Sequence, residues 1–492
     1  MYIKTNKIRG EITRLISKCL FTASALAAFP MPVAHAQDSS IYVQCPSATD
    51  DHPEVVGSSA EVGEYGIHAH NRNADGSAIK CDHLTAGDGM STMADNDAKR
   101  QYIFGFARIS LQGEGDALNV AEEDYPSWTM DQGTLAANTP APTIVLDEDD
   151  EYFLNLSNTG MIMRPDLFDP HTIHWHGFPQ AASIFDGVPD SSISVNMGST
   201  LAYYYKAKDA GTYMYHCHVE ATEHMQMGML GNLFVRPRQN RCETLEVLRN
   251  DLTVERDDLQ AALDVGSTGV TQADIDDKQA ELDALDATPG TTCPTGHAEG
   301  DKYAYNDGDA STYYDVEVPI QLGSFDPDFH DASFNTQPLP FASMRDRFFL
   351  LNGRGYPDAA DPLSTPTIDP LGRAQDSQPV SSAIQAAPGQ KVLLRISNLN
   401  VTDIYTVGVN GLPMEVVALD SRLLRDDDGN NMYYKTNSVT IGGGQSVDAI
   451  IDTAGLADGS RFLFYVKNLD KLANDAENMG GMMTEIVISA AN

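Results

Sequence analysis

The largest concentration of metal-binding side chains in this sequence lies between His171 and Met229. This stretch contains six of the thirteen histidines and one of the six cysteines, in the motifs HTIHWH and YHCHVEATEHMQMGM. Successive side chains of a β-strand point to opposite faces, so the two histidines of each HxH pair share a face. Two neighbouring strands of this kind would place four imidazoles on one side, those of His174, His176, His216 and His218.

Cys217 points away from the face that its two histidine neighbours share. On the opposite side we expect it to meet His171, His224 and Met229. A thiolate, two imidazoles and a weak axial thioether form the trigonal site typical of blue copper, whereas a structural zinc site does not use methionine. The spacing therefore predicts two metal sites, back to back and bridged by Cys217. Met225 and Met227 are nearby competitors for the axial position.

The elements that must position these side chains are short strands. From Gln101 onwards, β-branched and aromatic runs alternate with Gly, Pro, Asn and Asp, as in QYIFGFARISLQ and GTYMYHCH. This pattern is typical of a β-sandwich. We predict an all-β protein with two sandwich domains, one over residues 101–240 that carries the metal motifs and one over 301–492 that carries none.

Two further segments differ from the sandwiches. Residues 37–100 show little periodicity and are predicted to form an irregular extension, in which His68, His70 and His83 are candidate ligands but are better interpreted as loop histidines. Residues 241–300 have helical spacing of Leu, Val and Ile, which predicts an inserted helical hairpin. Cys45–Cys81 and Cys242–Cys293 are the plausible local disulfides, although other pairings remain open.

The N-terminus has the features of a Sec-type signal peptide. Five basic residues precede the apolar run CLFTASALAAF, and Ala34-His35-Ala36 fits a cleavage site, so residues 1–36 are expected to be removed on export to the periplasm or medium. No other segment predicts a membrane span. The net charge of −38 argues against nucleic acid and anionic membranes as partners. Such a surface would suit cations or basic redox partners, although the preferred interpretation is that the acidity only keeps an exported protein soluble.

The chain resembles the multicopper oxidases, a family built from cupredoxin domains with Greek-key topology. The segments that carry the resemblance are PAPTIVLDEDDEYFLNLSN, HWHG, DGVPD and GTYMYHCH, followed by a histidine and then a methionine five residues later. It covers most of residues 101–490. The five residues VEATE between HCH and the next histidine are a departure, because the family more often has three.

The resemblance implies a role for each metal-binding residue. His171, Cys217, His224 and Met229 would bind a type 1 copper that takes electrons from the substrate. His174 would bind a type 2 copper, and His176, His216 and His218 would bind type 3 coppers. Cys217 and its flanking histidines, His216 and His218, would connect the sites. The implied reaction is one-electron oxidation of a phenolic or metal-ion donor coupled to reduction of O₂ to water.

One departure from the family concerns the second copper site. The family builds its trinuclear cluster from eight histidines of two domains, and the second sandwich here offers no HxH pair. Three explanations follow. A second subunit in a homo-oligomer, such as a trimer or a dimer of trimers, supplies the missing ligands. Alternatively, His68, His70, His83 or His330 completes a smaller type 2 site, as in copper nitrite reductases. Finally, a degenerate second site leaves a type 1 electron carrier.

Overall fold

The computed structural model describes residues 41–53, 61–93, 99–111, 122–179 and 181–490, without the side chains of Glu64, His70 and Glu122. The predicted signal peptide lies outside the described residues. Within them, no helix has both the length and the apolar character that crossing a membrane requires. Residues from 41 onwards form one unit, in which two β-sandwiches succeed each other along the chain. The prediction of an all-β fold is confirmed.

The first sandwich consists of two sheets that enclose an apolar core. One sheet has the order β1-β2-β3-β6-β8, with β4 on the other side of β3, and the second has the order β5-β10-β9-β7. The strands are β1 (Glu61–Val62), β2 (His68–His70), β3 (Ile79–Thr92), β4 (Arg100–Arg108), β5 (Ala141–Asp147), β6 (Glu151–Gly160), β7 (His174–His176), β8 (Thr200–Lys206), β9 (Gly211–His216) and β10 (Leu230–Arg236).

The prediction that residues 37–100 are irregular is wrong for β3, which pairs with β4 and β6 at the centre of a sheet. Its interior positions include polar residues, so the alternation that identifies a strand is absent from its sequence. Two of them have charged or hydroxyl partners: Asp82 forms an ion pair with Arg108 at 2.6 Å, and Asp88 accepts a hydrogen bond from the Tyr102 hydroxyl at 2.9 Å. The first sandwich therefore includes residues that we had assigned to the extension.

The second sandwich also has two sheets, with the orders β14-β13-β18-β24-β20-β21 (β22 also pairs β20) and β17-β26-β25-β19-β23. Two small two-stranded sheets, β11-β12 and β15-β16, accompany them. The strands are β11 (Lys302–Tyr303), β12 (Tyr313–Tyr314), β13 (Val316–Phe325), β14 (Phe348–Leu351), β15 (Thr365–Ile368), β16 (Ala374–Gln378), β17 (Ile384–Ala386), β18 (Lys391–Asn398), β19 (Tyr405–Val409), β20 (Met414–Leu419), β21 (Arg422–Leu423), β22 (Tyr434–Thr436), β23 (Val439–Ile441), β24 (Gln445–Asp452), β25 (Arg461–Val466) and β26 (Met483–Ile488).

Helices occupy the connections. The α-helices are α1 (Tyr125–Gly133), α2 (Ala221–Met227), α3 (Cys242–Asp264), α4 (Gln272–Ala287) and α5 (Pro327–Phe334). Helices α3 and α4 form the predicted hairpin, and the Cys242–Cys293 disulfide closes its base. A capping box between Thr271 and Asp274 starts α4 by satisfying the free N–H groups of its first turn. The Cys45–Cys81 disulfide is also present, so both predicted pairings are confirmed.

Polar contacts fix the second sandwich against β9, the strand that leads into His216. Thr212 on β9 donates its hydroxyl to Asp448 at 2.5 Å, and the carbonyl of Thr212 accepts hydrogen bonds from Ser421 and Ser446 at 2.6 Å each. Asp448 and Thr212 are both buried. Buried polar groups need such partners, so these bonds specify one arrangement of the two sandwiches. Strand β9 is thereby fixed against the second sandwich.

Candidate metal centres

Cys217 and two of the three residues predicted around it, His171 and His224, converge in the core of the first sandwich. The Sγ atom of Cys217 lies 3.2 Å from Nδ1 of His224 and 3.8 Å from Nδ1 of His171. All three side chains are fully buried, and their ligand atoms lie within 4.8 Å of one another. These two nitrogens and one sulfur lie close enough together to hold one metal ion.

Backbone contacts hold this group together. The Thr172 N–H donates to Sγ of Cys217 at 3.5 Å, and the Thr172 hydroxyl accepts the His218 N–H at 3.1 Å. The Cys217 N–H donates to the Met229 carbonyl at 3.2 Å, which places the predicted axial residue next to the cysteine. Helix α2 lies between Cys217 and Met229, and Gly228, with a φ of 120°, ends it.

The metal-free Cys217 group favours a proton on one histidine only. Burial, followed by the charge of His224, lowers the pKa of His171 well below its ordinary value. Burial also opposes a charged His224, but the Cys217 thiolate and Asp169 outweigh it and raise the pKa of His224 to about 10. Asp169 Oδ2 lies 3.8 Å from Nε2 of His224. A bound cation would replace the proton of His224 in neutralising the thiolate.

The second group is the histidine face, which we define as His174, His176, His216 and His218. Strand β7 pairs with β9 so that His174 lies opposite His216. The ligand atoms of His174, His176 and His216 lie within 4.8 Å of one another, and Nδ1 of His176 is 3.4 Å from Nε2 of His216. The His218 ring centre lies 5.2 Å from that of His174. The predicted sharing of a face is therefore observed.

Carbonyl groups orient two of these rings. Nδ1 of His174 donates to the Asp186 carbonyl at 2.6 Å, and Nδ1 of His216 donates to the Cys217 carbonyl at 2.9 Å. A carbonyl only accepts, so each Nδ1 carries the hydrogen and each Nε2 keeps its lone pair. Burial lowers the pKa of His216 to about 3, and burial with the neighbouring histidine charges lowers that of His176. Neutral imidazole is the form that binds a metal ion.

Residue spacing did not predict the group that orients His174. The loop of the DGVPD motif supplies the Asp186 carbonyl, and Gly187 follows it with a φ of 79°. A Cβ atom at Gly187 would overlap the Ile173 carbonyl and lie 2.8 Å from the backbone nitrogen of His174. The DGVPD motif contains none of the predicted metal ligands. Its Asp-Gly pair was the signal in the sequence that the backbone at Gly187 closely approaches another segment.

The other candidate histidines do not complete the histidine face. Nδ1 and Nε2 of His83 bond the Tyr125 and Ser157 hydroxyls at 2.8 Å each, and the ring nitrogens of His330 contact the carbonyls of Tyr102 and Gln226. His68 lies on β2 opposite Cys81, outside the clusters found among the described residues, and the His70 side chain is not described. The expectation that one of them completes a small type 2 site is wrong for His83 and His330, because hydrogen bonds elsewhere occupy both rings.

Two family models and several known proteins match this chain. Models described as multicopper oxidase match residues 124–240 and 328–482, which together make up more than half of the sequence. "Multicopper oxidase MCE" of Talaromyces pinophilus is 36% identical over 103 residues, 20% of this chain and 16% of that protein. "Laccase ustL" of Ustilaginoidea virens is 31% identical over 114 residues, 23% of this chain and 16% of that protein. The matched segments thus span about a sixth of these relatives.

A solved structure supports the fold over a greater length. The blue copper oxidase from Nitrosomonas europaea superposes with a TM-score of 0.50 at 18% identity, over 82% of this chain and 85% of that one. This likeness concerns the arrangement of two cupredoxin-like sandwiches, as predicted. The two family models show that the chain belongs to the multicopper oxidase family.

Proposed function

We propose that this protein is an exported copper oxidase that takes single electrons from a phenolic or metal-ion donor and passes them to O₂, forming water. One observation carries the proposal: the Cys217 group and the histidine face adjoin through a single tripeptide. Cys217 Sγ faces His171 and His224, while His216 and His218 on either side of it face His174. A covalent path of a few bonds therefore connects the two candidate metal centres.

The donor atoms fit copper, the cofactor of the family. At the first centre, Cys217, His171, His224 and Met229 would hold it, because thiolate and thioether sulfur with imidazole nitrogen favour copper. At the second, His174, His176, His216 and His218 offer imidazole nitrogens, and carbonyl groups fix the other ring nitrogen of His174 and of His216. Copper, when bound, would supply the one-electron redox chemistry and the open position for O₂. The protein orients the ligands and excludes water from the buried Cys217 group.

The donor is expected to approach on the side of Asp169. This carboxylate is about one-fifth exposed and lies 3.8 Å from the buried Nε2 of His224. Glu223, next to His224, has a pKa that burial raises to about 7, and the carboxyl groups of Glu220 and Asp169 add to this rise. Because the whole chain has a net charge of −38, the side of Asp169 would attract Fe²⁺, Mn²⁺ or Cu⁺. The exposed ring of Phe168 would suit a phenol.

A second subunit is proposed to complete the histidine face. His174, His176 and His218 are only partly buried, and the side chains of Ile184 and Ile404 are exposed. Ile184 precedes Asp186, whose carbonyl orients His174, and Ile404 lies against the turn at Gly442. These two exposed side chains are part of the surface that the second subunit is proposed to cover. Replacing both isoleucines by aspartate should dissociate the oligomer, measured by light scattering, and weaken the second centre only.

The proposed export rests on the predicted signal peptide and on the two disulfides. Cys45–Cys81 and Cys242–Cys293 are of the kind that persists in an oxidising compartment. Expression with its own N-terminus followed by fractionation and N-terminal sequencing should recover the copper protein outside the cytoplasm, beginning at Gln37. Recovery of an uncleaved chain in the cytoplasm would contradict this.

The decisive experiment measures copper content and O₂ consumption together. The purified full chain, loaded with copper, should be intensely blue, contain more than one copper per chain, and consume O₂ when guaiacol or Fe²⁺ is added. One copper per chain with blue colour but without O₂ consumption would overturn the oxidase proposal in favour of an electron carrier. Production of nitric oxide from nitrite would overturn it in favour of a nitrite reductase.

A further inference from the structure

The second sandwich reaches the histidine face although it carries none of its histidines. The turn Gly442–Gly444 joins β23 to β24, and Gly444 lies against the ring of His176 on β7 of the first sandwich. A Cβ atom at Gly444 would lie 2.6 Å from Nε2 and 3.0 Å from Cε1 of His176. Carbon atoms do not approach a ring nitrogen so closely, so only glycine leaves room for His176 as it stands.

This turn is firmly held in place. The Gly444 N–H donates to the Asn398 carbonyl at 2.7 Å, and the Asn398 side chain donates to the Ile441 carbonyl at 3.0 Å. The Gly442 N–H donates to Oε1 of Gln445 at 2.8 Å. Two residues after Gly444, the Ser446 hydroxyl donates to the Thr212 carbonyl on β9. The turn is thus attached both to its own sheet and to the strand that ends in His216.

The contact determines which nitrogen of His176 faces the other histidines. With Nε2 directed at Gly444, Nδ1 is the atom that lies 3.4 Å from Nε2 of His216. His176 has no carbonyl partner among the described residues like those that orient His174 and His216, so packing against the turn takes that role. A ring pushed away from Gly444 would turn or move Nδ1 out of the position where a shared metal ion would lie.

We propose that Gly444 is a positioning residue of the second metal centre, through which the second sandwich holds His176 with Nδ1 towards His216. The inference rests on the proposed function only in taking the histidine face to be a metal site. The effect on the ring itself requires no metal. A second subunit would approach the half-exposed side of the face at His174 and His218, so the two contributions are compatible.

The test compares Gly444→Ala with Gly455→Ala. Both glycines lie in the second sandwich with similar φ angles, 88° and 80°, but a Cβ at Gly455 would meet nothing within 4 Å. Both variants therefore carry the same backbone strain, and only the first adds the contact with His176. A milder third variant, Gln445→Ala, removes an exposed side chain that holds the turn and adds no bulk.

Crystal structures of the metal-free full chain give the first readout. The distance between Nδ1 of His176 and Nε2 of His216 should stay near 3.4 Å in the wild type and Gly455→Ala, and lengthen in Gly444→Ala. Copper titration followed by electron paramagnetic resonance gives the second. The non-blue copper should bind at least tenfold more weakly in Gly444→Ala, and more weakly in Gln445→Ala, with the blue signal unchanged.

Two results would overturn the proposal: an unmoved His176 ring in Gly444→Ala, or non-blue copper binding in both turn variants that equals that of Gly455→Ala. If Gly444→Ala fails to fold, Gln445→Ala decides the question through the same copper titration. A wild type that binds no second copper, but whose His176 still moves in Gly444→Ala, would refute the proposed function while leaving the positioning of His176 by Gly444 standing.

Discussion

The Sγ atom of Cys217 lies 3.2 Å from Nδ1 of His224 in the core, with His216 and His218 on either side of the cysteine facing the opposite way. One tripeptide therefore serves two groups of donor atoms. The two groups nevertheless use different side chains, because no ligand atom of Cys217, His171 or His224 belongs to the cluster around His174. Each group should be removable by itself.

Replacing Cys217 by serine should abolish the blue absorption and remove one copper per chain. The serine hydroxyl stays protonated at neutral pH and is a poor copper ligand, whereas the histidine face keeps all its nitrogens. The matched variant is His176→Ala, which should keep the blue absorption and lose the non-blue copper signal. Elemental analysis and electron paramagnetic resonance check both. A blue Cys217→Ser protein, or O₂ consumption by it, would refute the assigned electron route.

The alternation of side chains along a strand was sufficient to predict the two groups. His174 and His176 share a face because they are two residues apart on β7, and β7 pairs with β9 as expected. Local chemistry also predicted the disulfides and the helical hairpin. These features depend on residues close in sequence or on residue types with few alternatives, so a single sequence contains the information.

Features that depend on distant contacts were not predictable. Strand β3 has polar residues in the interior, and only the positions of Arg108 and Tyr102 on β4 explain why burial there is tolerated. Gly444 lies more than 260 residues from His176, and nothing in IGGGQ indicates a neighbouring histidine. Such relationships depend on how the two sandwiches pack, which residue spacing does not determine.

Gly187→Ala should destabilise the protein and weaken the second metal centre. The added Cβ would overlap the Ile173 carbonyl and push the Asp186 carbonyl away from His174. Gly198 has a similar φ, 75° against 79°, but open space around it, so Gly198→Ala is the control for backbone strain. We expect a loss of about 1 kcal/mol for the control and about 3 kcal/mol or more for Gly187→Ala in urea unfolding.

For the same pair, metal affinity provides an independent criterion. Only Gly187→Ala should lower the affinity of the non-blue copper, since only it disturbs the acceptor of Nδ1 of His174. Equal stability losses in the two variants would mean that the DGVPD loop relaxes without affecting His174.

The buried His83 should make stability depend on pH between about 4 and 6.5. Burial lowers its pKa from 6.5 to about 4, so in this window the unfolded chain binds a proton that the folded chain does not. Stability therefore rises with pH across the window, by about 3 kcal/mol from this residue, and this contribution is lost as pH falls towards 4. Urea unfolding of the wild type and His83→Gln at several pH values measures it. Parallel pH profiles would contradict the assignment of a neutral His83.

Asp169→Asn should separate the two proposed classes of electron donor. The substitution keeps the shape of the side chain and removes the charge that lies 3.8 Å from His224. A cationic donor such as Fe²⁺ should then show a KM several-fold higher, because a nearby opposite charge contributes about 1 kcal/mol at a partly exposed site. A neutral phenol should be affected much less. Steady-state O₂ consumption with each donor, at two ionic strengths, checks this.

The Cys242–Cys293 disulfide should stabilise the protein without affecting either metal centre. It closes a segment of 51 residues containing α3 and α4, and restricting such a loop in the unfolded chain is worth about 4 kcal/mol. Replacing both cysteines by alanine should lower the free energy of unfolding by that order. The blue absorption and the copper content of the folded protein should be unchanged, because the hairpin carries none of the proposed ligands. Loss of copper in the folded variant would show that the hairpin contributes to a metal centre after all.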